Sequence, residues 1–151
     1  MILINKYNGF TLIELMVVVI IVAILATIAY PSYISQVTLT NRTNAMGVLL
    51  QDANYMERFY TLNGCYNNAG PDGVCGTSDD VAVALPYTTS PTTGSSIYYA
   101  VTMAVGVSGS SFVLTANPSG TSQATDGNLT LDNNGVQGWA KNPSGKTNSW
   151  R

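Results

Sequence analysis

The feature that most constrains this chain is a single apolar run near its N-terminus. From Phe10 to Tyr30 the sequence carries only one charged residue, Glu14. As a helix, this run would be roughly 31 Å long at about 1.5 Å per residue, close to the ~30 Å hydrocarbon core of a bilayer. The run therefore predicts one membrane-spanning helix over 10–30.

Glu14 is the unusual residue of this run, because it places a carboxylate one turn into the helix. A charge costs about 2.5–3.5 kcal/mol at the centre of a spanning helix and less near an interface. One candidate partner is an α-amino group created by cleavage between Gly9 and Phe10, on the same chain or on a neighbouring copy. The alternative is a glutamate that reaches the lipid headgroups without a partner.

The segment Gly9-Phe10-Thr11-Leu12-Ile13-Glu14 follows a short polar leader and precedes the apolar run. It resembles the class III signal of type IV pilins and the related pseudopilins. This resemblance implies a leader peptide over 1–9, cleavage after Gly9, N-methylation of Phe10, and a role for Glu14 in docking subunits into a helical filament. The implied partners are other pilin subunits, the prepilin peptidase/N-methyltransferase, an inner-membrane assembly platform and, before assembly, the inner membrane.

A second helical segment is predicted beyond the apolar run. Apolar residues recur there at three- and four-residue steps, and Asn63-Gly64 is a helix stop signal, so the whole helix is expected over 10–62. The opposite side of this segment is predicted to be polar, with Asn41, Arg42 and Asp52 among its residues. Pro31 removes a backbone donor, which predicts a kink or local melting near it.

The rest of the chain, 63–151, is predicted to be a globular sheet domain. Apolar residues alternate over 97–105, 111–117 and 128–132, and Asn133-Asn134-Gly135 is a hairpin signal before a return strand at 136–139. The stretch from Val81 to this sheet is broken by Pro86, Pro91 and Gly94 and is expected to be a loop. The fold class is therefore α+β, with a long kinked N-terminal helix packed on a C-terminal antiparallel β-meander, the lollipop shape of pilins.

Cys65 and Cys75 enclose a stretch rich in turn residues. Two cysteines close in sequence in an exported chain are typical of one structural disulfide, and nine intervening residues match neither a redox pair nor a zinc site. Asp72, Asp79 and Asp80 place carboxylates on the same loop, which makes them a candidate calcium site. The alternative is a solvated acidic loop, and we expect no metal and no cofactor.

Composition argues against an enzyme. The chain has no histidine, its net charge is −2, and only 9% of its residues are charged. The commonest general base and metal ligand is thus missing, and the slight acidity gives no general attraction to nucleic acid. We find no nucleophile–base pair and no phosphate-binding glycine loop, so a structural protein is expected.

The C-terminal tail carries basic residues among aromatic ones, namely Lys141, Lys146 and Arg151 near Trp139 and Trp150. Basic and aromatic side chains together are typical of nucleic-acid sites, so DNA is a candidate partner. The alternative is a solvated tail.

The C-terminal region resembles that of PilE-type minor pilins in Gly127–Leu131 and in its terminal Trp150-Arg151. Asp126 and Ser149 stand where those proteins often carry cysteines, so their usual disulfide cannot form here. The Cys65–Cys75 loop is a candidate substitute.

Lys6, before the apolar run, favours an N-terminus in the cytoplasm. The expected localisation is therefore a single-pass inner-membrane protein with a periplasmic C-terminus, and afterwards an extracellular pilus. The expected function is a structural, minor subunit of a type IV pilus, serving adhesion, twitching motility or DNA uptake. The alternatives are a pseudopilin of type II secretion, a DNA-receptor pilin, and a module on a plain membrane anchor.

Overall fold

The computed structural model describes residues 9–120, 123–141 and 149–150. Its elements, in chain order, are α1 (Leu12–Asn63), β1 (Asn67–Asn68), β2 (Val81–Ala82), β3 (Thr89–Ser90), β4 (Tyr99–Val105), β5 (Phe112–Pro118), β6 (Leu129–Asp132) and β7 (Gln137–Trp139). The chain divides into two compact units, one that ends at Val37 and one that begins at Thr38.

Helix α1 has a recognisable start and stop. At its N-terminus the Thr11 hydroxyl accepts the Glu14 N–H at 3.3 Å. At its C-terminus Gly64 adopts a φ of 78° and donates its N–H to the Tyr60 carbonyl at 2.7 Å, as expected for a glycine C-cap. Helix is assigned through Pro31, so the predicted local melting is not found there. A bend at Pro31 stays a prediction.

Strands β3 to β7 form one antiparallel sheet in sequential order, which confirms the predicted meander. Along β4 and β5 the more buried residues alternate with less buried ones, as the period of a half-buried strand requires. The region after Val81 was predicted to be a loop, and this was wrong in two places, since β2 pairs with β1 and β3 extends the sheet beside β4. Each of these strands has only two residues, too few to show alternation.

The core lies between α1, from Ala45 onward, and the inner face of the sheet. Its members are Ala45, Val48, Leu49, Met56, Tyr66, Val83, Tyr99, Val101, Phe112, Leu114, Ala116, Leu129, Leu131 and Trp150. The C-terminal half of α1 therefore packs on the sheet through the apolar stripe that the sequence predicted. Burial of this surface is the main force that stabilises the domain.

The predicted polar side of α1 is partly wrong. Asp52 is fully buried, Asn41 is 9% exposed, and the Arg42 side chain is 14% exposed. These residues are buried because each meets a polar partner from a distant part of the chain, which a helical pattern cannot reveal.

Of these buried polar residues, Asp52 has an oxygen without a hydrogen-bond partner in the described structure. One carboxylate oxygen, Oδ1, accepts the Tyr87 N–H at 3.2 Å, whereas Oδ2 is buried without a hydrogen-bond partner in the described structure. Burial disfavours the charged form and raises the pKa of Asp52 from 3.8 to about 6, although the hydrogen bond from Tyr87 acts in the opposite direction.

This burial predicts an unusual pH dependence of stability. Because the folded state holds the Asp52 proton more tightly, the stability that this proton contributes is complete below pH 3.8 and is lost as the pH rises to about 6. Compared with Asp52→Asn, the free energy of unfolding of the wild type should fall by up to about 3 kcal/mol over that window. Urea unfolding of both proteins from pH 4 to pH 7.5 measures the difference, and parallel pH profiles would contradict it.

Candidate functional site

The N-terminal segment is exposed to solvent in the isolated chain. Phe10 is 80% exposed, and the large apolar side chains that follow, up to Ile28, each expose about half of their surface or more. The helix that carries them is long and apolar enough to cross a membrane. An apolar surface of this size needs lipid or other protein chains around it.

Thr11 and Glu14 form the first turn of α1. A threonine at the N-cap followed three residues later by glutamate is the capping-box pattern, and here the Glu14 N–H bonds to the Thr11 hydroxyl. A carboxylate is also favoured at this end by the helix dipole. The Thr-x-x-Glu pattern is visible in the sequence and could have indicated this second reason for Glu14.

The predicted disulfide between Cys65 and Cys75 is present, with Cα atoms 6.2 Å apart. It packs against the β4–β5 turn, where a side chain on Gly109 would come within 3.3 Å of the Cys65 Cβ atom. Tyr66 donates its N–H to the Gly109 carbonyl at 2.8 Å. The disulfide therefore closes the loop after α1, and this loop packs on the β4–β5 turn.

The acidic residues of this loop accept hydrogen bonds from other residues of the same loop. Asp79 accepts the Thr77 hydroxyl at 2.6 Å, and Asp80 accepts the Gly76 N–H at 2.7 Å. These bonds lower the pKa of both carboxyl groups. Throughout the part of the chain that the structure describes, no three acidic, histidine or cysteine side chains are grouped closely enough to hold a metal ion.

A buried ion pair joins α1 to the segment before β6. Arg42 uses Nε and its terminal nitrogen to donate to both carboxylate oxygens of Asp126, with the Nε bond at 2.8 Å. Tyr99 donates its hydroxyl to the same carboxylate. Burial alone would raise the pKa of Asp126, but these two donors outweigh it and hold the pKa below its ordinary value.

Two amide side chains complete this cluster. Gln123, fully buried, donates to the Tyr99 hydroxyl at 2.9 Å and to the Thr38 carbonyl at 3.3 Å. Asn41 donates to the Gln123 side-chain oxygen at 3.2 Å. The polar groups of this cluster are thus paired with one another, which is what burial requires.

The same cluster holds the strand that leads into the tail. The Arg42 guanidinium lies 3.8 Å from the centre of the Trp139 ring, and the Trp139 indole donates its N–H to the Asp126 carbonyl at 2.7 Å. A side chain on Gly127 would come within 3.2 Å of the Lys141 backbone nitrogen. Arg42 and Asp126 therefore hold Trp139, two residues before the exposed Lys141.

The predicted tail residues separate in the structure. Lys141 is exposed and lies beside Gly127, whereas the Trp139 ring packs against Arg42. Trp150 is 5% exposed and donates its indole N–H to the Thr130 carbonyl at 2.9 Å, so its ring packs in the core and is not open to a base. Lys146 and Arg151 lie outside the described residues.

Two protein-family models match this chain. A family model for the prokaryotic N-terminal methylation motif matches residues 4–30. A second model, described as type IV minor pilin ComP, DNA uptake sequence receptor, matches residues 31–130, more than half of the chain.

Among solved structures, the chain is similar to a type IV pilin from Shewanella oneidensis at 25% identity, with a TM-score of 0.46, over 70% of this chain and 94% of that one. No curated protein sequence matches.

Proposed function

This chain belongs to the family of type IV minor pilins described for ComP, and we propose that it is cut between Gly9 and Phe10 and enters a pilus through α1. The observation that carries this proposal is the exposed apolar surface from Phe10 onward, which is interrupted by one carboxylate. Other pilin helices would cover that surface. Glu14 would then neutralise the α-amino group of a neighbouring Phe10 inside the helix bundle.

Before assembly, the apolar helix would lie in the inner membrane with the globular domain in the periplasm. Two observations support this topology. Lys6 precedes the apolar run, and positive charge is enriched on the cytoplasmic side. The Cys65–Cys75 disulfide is of the kind that persists in oxidising compartments.

N-terminal mass spectrometry on sheared surface filaments tests this proposal. The expected N-terminal residue is N-methylated Phe10, and the expected mass lacks residues 1–9. The membrane fraction of a strain without prepilin peptidase is the control and should contain the uncut chain. A chain that begins at Met1 in the filament fraction of wild-type cells would contradict the proposal and indicate a plain anchor.

The second proposed function is DNA binding. It is supported by the family match, since that family is described as a DNA uptake sequence receptor. It is also supported by the exposure of Lys141, which follows Trp139 by two residues, and Trp139 is held by Arg42. The acidic loop around Asp79 and Asp80 would repel DNA, so contact is expected on the side of the domain that carries Lys141.

A salt titration of the full-length protein in detergent tests DNA binding. A fluorescent 24-base-pair duplex should bind at about 50 mM salt and weaken steeply by 200 mM, since phosphate contacts release counterions. Lys141→Gln should lower the affinity for all sequences and reduce the slope of log K against log salt by about 0.9. Lys141→Arg is the matched control. No binding at about 50 mM salt would overturn the proposal.

A further inference from the structure

The segment between β2 and β3, residues 83–88, is called the connector below. Its two ends are held by backbone pairing, because β2 pairs with β1 and β3 pairs with β4. Its middle is held by the buried side chain of Val83 and by the Tyr87 N–H, which donates to Asp52 Oδ1 at 3.2 Å. Asp52 therefore ties the connector to α1.

The described part of the chain brings no positive charge to Asp52. Residues 81–125, which include the connector, β3, β4 and β5, contain no charged residue, and their titratable side chains are Tyr87, Tyr98 and Tyr99. On α1, Arg42 lies ten positions before Asp52 in the buried ion pair with Asp126, and Arg58 lies six positions after it and is exposed.

The acids on the neighbouring elements cannot neutralise a second carboxylate. They are Glu57 on α1, Asp80 before β2 and Asp132 at the end of β6. Each of them already accepts a hydrogen bond from another residue. An ionised Asp52 would therefore be a buried charge without compensation, which is strongly disfavoured.

The contact between the connector and α1 is also the least paired part of the described core. Two buried side-chain oxygens there lack a hydrogen-bond partner within the described residues, namely Asp52 Oδ2 and the hydroxyl of Ser90, two residues after the connector. Unpaired buried polar groups lower local stability, and weakly held segments open without global unfolding. The connector is therefore the segment of this core that we expect to open first.

We propose that Asp52 and the connector form a pH-sensitive latch, in which neutral Asp52 holds the connector on α1 and ionised Asp52 releases it while the sheet stays folded. An asparagine would offer the same kind of acceptor to the Tyr87 N–H without the ability to ionise. What the aspartate adds is thus a response to pH. The latch lies in the globular domain alone, so it depends neither on pilus assembly nor on DNA binding.

The direction of the response follows from the two states of Asp52. In the closed state, burial raises the pKa of Asp52 to about 6, whereas contact with water in the open state restores the ordinary pKa of 3.8. The closed state is therefore fully favoured below pH 3.8, loses this advantage as the pH rises to about 6, and stays weakened above it. A difference of two pKa units corresponds to about a 100-fold change in the opening equilibrium.

Release of the connector changes the surface of the domain. Val83 is buried and Leu85 packs against the core, so both side chains become exposed to solvent. Because β3 follows the connector directly, its pairing with Tyr99 and Ala100 of β4 is weakened as well. The open state therefore presents part of a sheet edge that the closed state covers.

Amide hydrogen exchange of the full-length protein in detergent tests this latch. The reporters are the N–H of Tyr87 and the N–H of Val101, which donates to the Thr88 carbonyl at 2.8 Å. Their protection factors, which correct for the intrinsic effect of pH on exchange, should fall about 50-fold from pH 4 to pH 7.5 in the wild type. In Asp52→Asn they should stay constant over the same range.

Urea distinguishes release of the connector from global unfolding. Local opening exposes little surface, so exchange at Tyr87 should not change with urea at concentrations below the unfolding transition. Exchange of the β5 amides that pair with β4 should increase with urea, because these amides are exposed by global unfolding.

Asp72→Asn is the matched control, since it removes an exposed carboxylate and should keep the wild-type profile. Parallel pH profiles of the wild type and Asp52→Asn would overturn the latch. It would also be overturned if Tyr87 and the β5 amides lost protection together and with the same urea dependence, because Asp52 would then act on the whole domain. If Asp52→Asn does not fold, the pH and urea dependence of Tyr87 in the wild type decides between the same outcomes.

Discussion

Replacing Glu14 by glutamine is expected to lower incorporation of this pilin into pili by tenfold or more. An ion pair at about 4 Å contributes on the order of 4 kcal/mol at an effective dielectric constant near 20, and each 1.4 kcal/mol is a factor of ten. The membrane pool should respond in the opposite way, because the neutral side chain removes a cost of about 2.5–3.5 kcal/mol or less for a charge in the membrane. Immunoblots of sheared pili and of membranes measure both quantities.

The Thr11–Glu14 capping interaction supplies the control for this prediction. If Glu14 served only to start the helix, Thr11→Ala would reproduce the defect at a cost of about 1 kcal/mol. We expect Thr11→Ala to assemble nearly normally and Glu14→Asp to retain partial assembly, since it keeps the charge. Normal incorporation of Glu14→Gln would refute the pairing with the Phe10 amine.

Replacing Asp126 by asparagine is expected to destabilise the globular domain by about 3 kcal/mol, because Arg42 would remain buried without its counter-charge. The loss should exceed that of exposed acids such as Asp72, for which Asp72→Asn is the matched control. Denaturant unfolding followed by tryptophan fluorescence measures it, and Trp139 reports directly on the cluster because it contacts Arg42 and Asp126.

A double-mutant cycle and a pH series sharpen this prediction. Arg42→Met, Asp126→Asn and the combined variant should show a coupling energy of about 1–3 kcal/mol. Because the folded-state pKa of Asp126 is lowered, its contribution is complete above the ordinary pKa of an aspartate and is lost as the pH falls below it. The wild type and Asp126→Asn should therefore converge in stability at low pH. Additive effects, or a difference that persists in acid, would contradict an ion pair.

The elements with strong local patterns could be predicted from the sequence. The apolar run before Pro31, the stripe of residues such as Leu49 and Met56, and the alternation along β4 and β5 each reflect a periodicity that a helix or a half-buried strand imposes. The Cys65–Cys75 bond was also predictable, because its partners are close in sequence and a chain with two cysteines offers one pairing. The short strands β2 and β3 were missed because two residues carry no period.

The position of Asp126 shows where the sequence stops being informative. In the sequence, Asp126 is distinguished only by standing where similar pilins often have a cysteine. In the structure it accepts hydrogen bonds from an arginine 84 positions earlier. Trp150 was predicted as a candidate for a nucleic-acid site, but its ring lies in the core. In both cases the decisive contact joins distant parts of the chain.

The sequence by itself thus determined the long apolar helix, the N-terminal methylation motif and the class of the fold, because each depends on local composition or on a short motif. Only the tertiary structure decided which polar residues are buried and which distant partners they meet, such as Asp126 for Arg42. Burial and pairing depend on what the rest of the chain brings to a side chain, and the chain order does not state that.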